Sequence, residues 1–381
     1  MQNKKSKTSE KVLIVGSGLG GIRAAFDLAE AGRDVVVVES APHVGGLMTQ
    51  LDRTFPTDNC DLCSILPRFS ANGCRQRIEF LTMTRPTSVK GEAGNFTVSL
   101  TSSPRYIDLE KCTACGECFR KMPECVRFAA GLDYFSPTCM RYPQASPQAF
   151  SIEMDKCADP DALVKLCPAD AIRLQDGEKT REEVFGSIIL AHGAEVFDPS
   201  GINSLGYGQH PDIVTSLEYE RILSSSGPTQ GRLVRPSNGR QPSKIAWIQC
   251  VGSRGLREHH APYCSSACCM FALKEIFVTR ERFQKDLEAC VFYMDMRTSG
   301  KDHELYYQRA KEELGVRFIR CRTRNVTHND KINSLTITYL PDNDSRVVSE
   351  NFDMVVLSTG FRISEGSRRL AQTMGVEINA H

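Results

Sequence analysis

The stretch KVLIVGSGLGGIRAAFDLAEAGRDVVVVE, residues 11–39, decides the fold of this chain. KVLIV is a short β-branched run, AAFDLAEAG has a helical period and a closing glycine, and DVVVVE is a second apolar strand. A glycine-rich turn joins the first strand to the helix. The order strand, glycine turn, helix, strand predicts the opening of a doubly wound α/β domain.

The turn has the spacing G-x-G-x-x-G that is typical of dinucleotide sites. The first glycine permits a tight turn, the second lets the backbone approach a pyrophosphate, and the last lets helix and strand pack closely. Glu39 ends the second strand, near the spacing expected for a carboxylate that binds ribose hydroxyls. The alternative is a glycine-rich turn in any α/β protein, but strand, helix and acid all fall where a dinucleotide site needs them. The predicted binding residues are Gly16, Gly18, Gly20, Gly21 and Glu39.

Apolar patterning divides the rest of the chain. IEFLTMT and NFTVSL, within residues 78–100, predict two more strands, and FGSIILAHGAEVF resumes as a buried strand after a region rich in cysteine and proline. The second half again alternates strands with helices. The predicted units are a first domain segment at 11–104, an insert at 105–178, the first domain continued at 179–223, a linker at 224–243 and a second domain at 244–381.

Composition narrows the function classes. Lys and Arg number 47 against 46 Asp and Glu, so a net charge of +1 favours neither nucleic acid nor an acidic surface. MQNKKSKTSE lacks the apolar region of a signal peptide, and no apolar run approaches the length of a membrane helix, so we expect a cytoplasmic protein that is not transmembrane. Disulfides are then not the expected use for 16 cysteines, which leaves metal ligation, redox chemistry and burial.

The insert contains two incomplete ferredoxin motifs. LEKCTACGECFRKMPEC, residues 109–125, begins as C-x2-C-x2-C, but Met122 stands where the fourth cysteine belongs. CADPDALVKLCP, residues 157–168, keeps the first and fourth cysteines and has Pro160 and Leu163 in place of the others. In two-cluster ferredoxins the fourth cysteine of each run ligates the other cluster, so the two defects are complementary.

One complete four-thiolate set remains, and it predicts one 4Fe-4S cluster in a ferredoxin-like α+β module. Its members are Cys112, Cys115, Cys118 and Cys167. Zinc or simple packing is the alternative, although this triplet with a distant C-P is more typical of iron–sulfur. Cys125 is a rival fourth ligand, and Cys139 and Cys157 are interpreted as buried or spare thiols.

The fold class is therefore α/β, with two doubly wound, Rossmann-like dinucleotide-binding-type domains and an inserted ferredoxin-like module.

A second set of cysteines lies in IQCVGSRGLREHHAPYCSSACCMFALKE, residues 248–275. Its thiols meet at a predicted junction of strand and helix, where they suit a second 4Fe-4S cluster, so two clusters are expected. The set comprises Cys250, Cys264, Cys268 and Cys269. The neighbouring His259 and His260 are interpreted as solvated loop histidines.

These features together resemble the flavin-carrying component of heterodisulfide reductase, the A component of that complex. The resemblance rests on VLIVGSGLGGIRAAFDLAEAG, VESAPHVGGLMTQLDRTFPTDNCDLC, the insert, and IQCVGSR followed by YCSSACCMFALK. It implies FAD in the first domain, a cluster on the second cysteine set, and an oxidoreductase that relays electrons between flavin and clusters. The implied partners are other subunits of such a complex, with ferredoxin or hydrogenase-type electron donors. The family has a further segment beyond the position of EINAH, so we expect this chain to be C-terminally shorter.

Val44-Gly45-Gly46 and IILAHGAE, residues 188–195, also resemble the flavoproteins with two dinucleotide-binding domains. This resemblance makes Gly45, Gly46 and Gly193 positions where the backbone approaches FAD.

Cys60 and Cys63 form a C-x2-C pair in TDNCDLCSILP, which is a candidate catalytic redox dithiol, a pair of ligands, or a packed pair. As a dithiol it would serve a free-standing, FAD-dependent pyridine nucleotide-disulfide oxidoreductase, the first alternative function. CVGSRG stands where a second G-x-G-x-x-G would be, so no good NAD(P)H site is predicted. A cluster-binding fragment without tight flavin is the other alternative.

Overall fold

The computed structural model describes residues 9–59, 75–122, 145–255, 260–283, 286–342 and 344–379. In these ranges the helices are α1 Leu19–Glu30, α2 Glu117–Lys121, α3 Pro160–Leu166, α4 Ser216–Leu223, α5 Cys268–Arg282, α6 His303–Glu312 and α7 Glu365–Met374. The strands up to residue 215 are β1 Val12–Val15, β2 Val35–Glu39, β3 Ile78–Thr82, β4 Thr84–Glu92, β5 Asn95–Ser102, β6 Lys179–Phe185, β7 Ser187–Leu190, β8 Glu195–Val196 and β9 Ile213–Thr215. The later strands are β10 Lys244–Val251, β11 Glu288–Tyr293, β12 Arg317–Asn329, β13 Ser334–Pro341, β14 Val348–Phe352, β15 Met354–Thr359 and β16 Phe361–Arg362.

The first domain is built on a four-stranded parallel sheet in the order β3-β2-β1-β7. Helix α1 covers one face through Ile22 and Phe26. The antiparallel sheet β4-β5-β6 covers the other face, where Leu100 and Phe185 pack against Leu13. A parallel sheet buried on both faces explains why β1 and β2 are continuous apolar runs. All carboxyl ends of these strands lie at one edge.

The insert joins its two ends by an antiparallel bridge between Ile107 and Ile172. Short helices α2 and α3 contact each other above it. The buried Arg105 attaches the insert to the first domain, because its Nη2 donates to the carbonyl of Pro42 at 2.6 Å and to Thr82 Oγ1 at 2.7 Å. The ferredoxin-like character of this module stays a prediction.

The second domain has a mixed seven-stranded sheet in the order β14-β13-β12-β11-β10-β15-β9. Strands β9, β15, β10, β11 and β12 run parallel, and β13 and β14 add an antiparallel meander. Trp247 on β10, the middle strand of the parallel part, is fully buried between the sheet and helices α4 and α5. The alternation of strands and helices predicted for this half is thus present, in a mixed sheet.

The domain limits differ from the predicted ones in two places. Strand β9 lies within 179–223 but pairs with β15, so this part of the chain belongs to the second domain. Residues 224–243 have no helix or strand, yet they pack on the same domain, where Arg235 Nε donates to the buried Asp212 at 2.9 Å. They are not a linker between domains.

The end of the described chain returns to the first domain. Leu370 of α7 packs in the cluster that contains Leu13 and Val15, and α7 contacts β4. The range 244–381 therefore includes a helix that completes the first domain. No helix in the described ranges combines the length and apolarity needed to cross a membrane.

Candidate flavin and cysteine sites

Of the four glycines in the loop after β1, two are closed positions, where a side chain would clash, and two are open positions, where it would not. Gly16 has φ +104°, and a Cβ there would lie 2.4 Å from the carbonyl oxygen of Ala191. A Cβ on Gly21 would lie 2.0 Å from the carbonyl oxygen of Gly16. Added Cβ atoms on Gly18 and Gly20 would meet nothing within 4 Å. The closed positions pack the turn, and the open ones leave the N-terminus of α1 accessible to an anion.

Glu39 holds the glycine loop in place. Its Oε2 accepts hydrogen bonds from the Ser17 backbone N–H at 3.0 Å and from Ser17 Oγ at 2.7 Å, and its Oε1 accepts from the N–H of Ala41 at 2.8 Å. Ser40 Oγ also donates to Oε1, at a long 3.4 Å, and this weak bond is the one that a ribose hydroxyl would replace.

The Gly45-Gly46 turn lies directly against the glycine loop. The N–H of Gly45 donates to the Ser17 carbonyl at 2.8 Å, and Gly46 has φ +60°. Gly193 has φ +68° and open space around it, and it follows β7 at the same sheet edge as Gly16. The structure therefore brings the predicted dinucleotide residues together in a cradle of exposed backbone, and this cradle fits FAD.

The first cysteine set lines one recess of about 330 Å³ in the insert. All four predicted sulfurs contribute to its lining: Cys112, Cys115, Cys118 and Cys167. Burial, together with the negative charge of the neighbouring thiols, raises the pKa of Cys118 to about 11. Cys167 Sγ also accepts a hydrogen bond from the N–H of Ala171 at 3.3 Å.

The residues that replace the missing ligands form an apolar core. Leu163 is fully buried, and Met122 and Cys157 pack against the same cluster. Pro160 begins α3, which is capped by Asp159 accepting from the N–H of Ala162 at 2.9 Å. Cys112, Cys118 and Cys167 of the first cysteine set pack against this cluster too, so one apolar core underlies both motifs. Cys125 and Cys139 lie outside the described residues.

The second cysteine set surrounds the N-terminus of α5. Cys250 ends β10 with φ +62°, an unusual conformation for a side chain with a Cβ, and it is buried. Hydrogen bonds from Cys250 and Cys269 lower the pKa of Cys268, and the same interactions with Cys268 raise the pKa of Cys250 and of Cys269. Cys264 Sγ accepts from the N–H of Ser266 at 3.3 Å, in the loop that leads into the helix.

This donor set fits a cluster in two respects. It offers thiolates at a helix N-terminus, where the helix dipole favours negative charge. Beside it, the buried Ser253 Oγ has no hydrogen-bond partner among the described residues, and its backbone N–H donates to the Cys250 carbonyl at 3.1 Å. Across the described part of the chain, no three side chains of metal-ligand type converge closely enough to hold a single metal ion.

An apolar recess of about 310 Å³ has one member of the second cysteine set in its lining. Leu47, which follows Gly46, and Cys268 both line it. The segment after Leu47 then lies on the second domain: the N–H of Asp52 donates to Glu220 Oε2 at 2.9 Å, and Arg53 Nη1 pairs with Glu281 at 2.8 Å. The segment that follows the Gly45-Gly46 turn therefore contacts the helix that begins with Cys268.

The sequence interpretation missed a buried charged network beneath the cysteine helix. Lys274 forms a fully buried ion pair with Glu220, and Trp247 Nε1 donates to Glu275 Oε2 at 2.8 Å. Burial, and next the charge of Glu220, raise the pKa of Glu275 well above its ordinary value. The letters KE in a helix normally indicate an exposed face, so only the tertiary packing reveals this network.

Other predicted residues have simpler outcomes. Cys60, Cys63 and His259 lie outside the described residues. At the place of a second glycine fingerprint, a Cβ on Gly252 would lie 2.2 Å from the ring of Phe197, so this turn packs against an aromatic side chain.

Comparisons with known proteins agree with this geometry. Residues 11–71 match the family described as FAD dependent oxidoreductase. The chain is 36% identical over 386 residues to the A component of the H(2):CoB-CoM heterodisulfide,ferredoxin reductase of Methanothermobacter thermautotrophicus, covering 100% of this chain and 58% of that protein. It is 38% identical over 362 residues to the second iron-sulfur A component of the CoB--CoM heterodisulfide reductase of Methanopyrus kandleri, covering 93% of this chain and 54% of that protein.

Among solved structures, T. acidophilum thioredoxin reductase is similar at a TM-score of 0.49 and 12% sequence identity, over 98% of this chain and 83% of that one.

The chain thus spans a little over half the length of these curated relatives. Its glycine cradle and both cysteine motifs lie inside the matched region. Over 93% to 100% of its own length, the chain is therefore similar to the A components of heterodisulfide reductases.

Proposed function

We propose that this chain is a flavin and iron–sulfur electron-transfer subunit of a heterodisulfide-reductase-like complex. FAD in the first domain accepts an electron pair, and two 4Fe-4S clusters pass electrons singly to partner subunits, with ferredoxin or a hydrogenase-type protein as donor. One cluster is held by Cys250, Cys264, Cys268 and Cys269, and the other by Cys112, Cys115, Cys118 and Cys167. The protein places these groups and tunes them.

The observation that carries the proposal is the shared recess. Leu47 follows the Gly45-Gly46 turn, and Cys268 begins α5, yet both line one cavity. We infer from this recess that a flavin bound at the glycine cradle would lie near the second cysteine set. Such neighbouring sites are what an electron relay needs.

The protein's own residues have separable tasks in this relay. Gly18 and Gly20 leave the backbone N–H groups of α1 open to the pyrophosphate. Glu39 fixes the glycine loop through Ser17. Near Cys268 of the second set, Phe271, Leu217 and Leu47 give the recess a mostly apolar lining.

The test is the content of iron, acid-labile sulfide and flavin after anaerobic purification. About eight irons and one FAD per chain are expected for two clusters. Cys268→Ala should remove about four irons, whereas its matched control Cys290→Ala, at a buried cysteine of β11, should remove none.

A second pair of variants tests the insert. Cys167→Ala should lose the other cluster, whereas Cys157→Ala, a cysteine in the same apolar cluster, should keep it. Full iron content in Cys167→Ala would instead favour Cys125 as the ligand. Iron without flavin in the wild type would contradict the relay and favour a fragment that binds clusters only.

A further inference from the structure

Arg254 lies four residues after Cys250, the first member of the second cysteine set, in a turn that is fixed by backbone hydrogen bonds. It has φ +57°, and its N–H donates to the Tyr263 carbonyl at 3.1 Å. The neighbouring Ser253 forms a parallel bridge with Ala261. The backbone on both sides of Arg254 is therefore tied to the loop that leads to Cys264.

The guanidinium group has two partners at the site. Arg254 forms an ion pair with Asp295, which follows β11, and its positive charge lies near the thiol of Cys250, where it opposes the rise in the pKa of Cys250. The backbone carbonyl of Asp295 in turn lies 4.0 Å from Cys269 Sγ. The Arg254–Asp295 pair therefore lies between Cys250 and Cys269, at the ends of the adjacent strands β10 and β11.

We propose that Arg254 raises the reduction potential of the cluster at the second cysteine set and that Asp295 holds it there and limits the effect. This inference rests on the proposed function. Reduction adds one electron, and hence one negative charge, to the cluster. A cation beside a ligand sulfur stabilises that charge, and hydrogen bonds to cluster sulfurs and local net charge are known determinants of the potential.

A purely structural role for the pair would have little effect on stability. The side chains of Arg254 and Asp295 are 26% and 42% exposed, and ion pairs of such exposure contribute little to folding. Variants at these positions are therefore expected to fold and to assemble the cluster. Their effect should instead lie in the potential.

The experiment is an anaerobic redox titration followed by electron paramagnetic resonance on the whole chain, with dithionite as reductant. Arg254→Gln should shift the midpoint potential of this cluster to more negative values. Asp295→Asn, which leaves the guanidinium uncompensated, should shift it to more positive values. Arg254→Lys should stay closer to the wild type than Arg254→Gln. Arg346→Gln, which breaks an exposed pair with Asp344 in the same domain, should leave the potential unchanged.

Two results would overturn the inference. One is an Arg254→Gln protein with full iron content and an unshifted potential. The other is a shift of the same sign in Arg254→Gln and Asp295→Asn, which would point to a general disturbance of the site. If Arg254→Gln fails to assemble the cluster, Asp295→Asn alone decides by the sign of its shift. Wild-type protein without a cluster at these cysteines would overturn the proposed function itself, and this inference with it.

Discussion

Gly18 and Gly46 touch across the candidate flavin site. A Cβ on Gly46 would lie 2.9 Å from the Cα of Gly18. Two glycine turns from separate parts of the sequence are therefore in direct backbone contact. The shape of the cradle depends on this contact as much as on the G-x-G-x-x-G pattern.

Gly46→Ala should therefore release flavin. The new methyl group presses on the glycine loop, and the left-handed conformation costs a further ~1–2 kcal/mol. The measurement is FAD per chain, together with the melting temperature.

Gly208→Ala is the matched control. Gly208 has a similar φ of +78°, but an added Cβ there meets nothing within 4 Å. It should show the backbone penalty without flavin loss. Equal flavin loss in both variants would mean that strain in the chain, and not contact with the loop, lowers binding.

Lys274→Met should strongly destabilise the second domain. The variant leaves Glu220 buried without its cation, and breaking a buried pair from one side costs about 3–5 kcal/mol. Adding Glu220→Gln should restore part of this loss. Urea denaturation gives both values, and the exposed pair Arg369–Glu365 provides the control variant Arg369→Gln, which should change stability by under ~0.5 kcal/mol. A loss in Lys274→Met no larger than in the control would contradict a buried pair.

Glu350 should make the second domain sensitive to acid. Burial opposes its ionisation, but hydrogen bonds from Arg317 and Lys244 outweigh burial and lower the pKa from 4.5 to about 2. A lowered pKa in the folded state contributes stability above the unfolded value, and that stability is lost as the pH falls from about 4.5 towards about 2.

The check compares urea midpoints at pH 7 and pH 3 for the wild type and Glu350→Gln. The variant should be less stable at pH 7, and the gap should narrow at pH 3. Glu365→Gln, at an exposed helix position, is the control. A gap that is equal at both pH values would rule out the ionised carboxylate as its cause.

Arg105→Met should loosen the insert from the first domain. The change removes the bonds to the Pro42 carbonyl and to Thr82 while keeping an apolar stem of similar length. Hydrogen exchange should rise at the bridge between Ile107 and Ile172, with little change in the parallel sheet. The exposed Arg85→Met is the control, and comparable exchange in both variants would show that the insert is held elsewhere.

The beginning of the fold is readable from sequence because its signals are local. The pattern predicts the run of β1, α1 and β2 within a few residues, since strand, turn and helix signals all lie within 11–39. It does not predict the return of the chain to the first domain. Helix α7 carries few apolar residues, and only the packing of Leu370 on Leu13 shows where it belongs.

The missed strands have a common cause. The sequence TRPTSVKGE of β4 is polar and contains proline, which an edge strand tolerates. Strands β12 and β13 mix polar residues with apolar ones, and β14 is mostly polar. Their pairing with each other, and not local propensity, makes them strands.

The spacing of the cysteines along the chain predicts which of them come together. The local sequence does not predict which other residues surround them. The motif frame selects four cysteines that all line the recess of the insert. For the second set, neither the left-handed backbone of Cys250 nor the approach of Arg254 and Asp295 has any counterpart in the local sequence.

Because of the apolar core around Leu163, folding of the insert would not depend on the insertion of a metal cluster. In a module whose two halves both close around iron, a chain newly released from the ribosome stays open until the metal is delivered. Here Leu163, Met122 and Cys157 pack together in an apolar core that both cysteine motifs share. Under the proposed function, the insert would then hold its thiols in a folded frame before a cluster is inserted, and a shortage of iron would lead to an empty protein rather than an unfolded one.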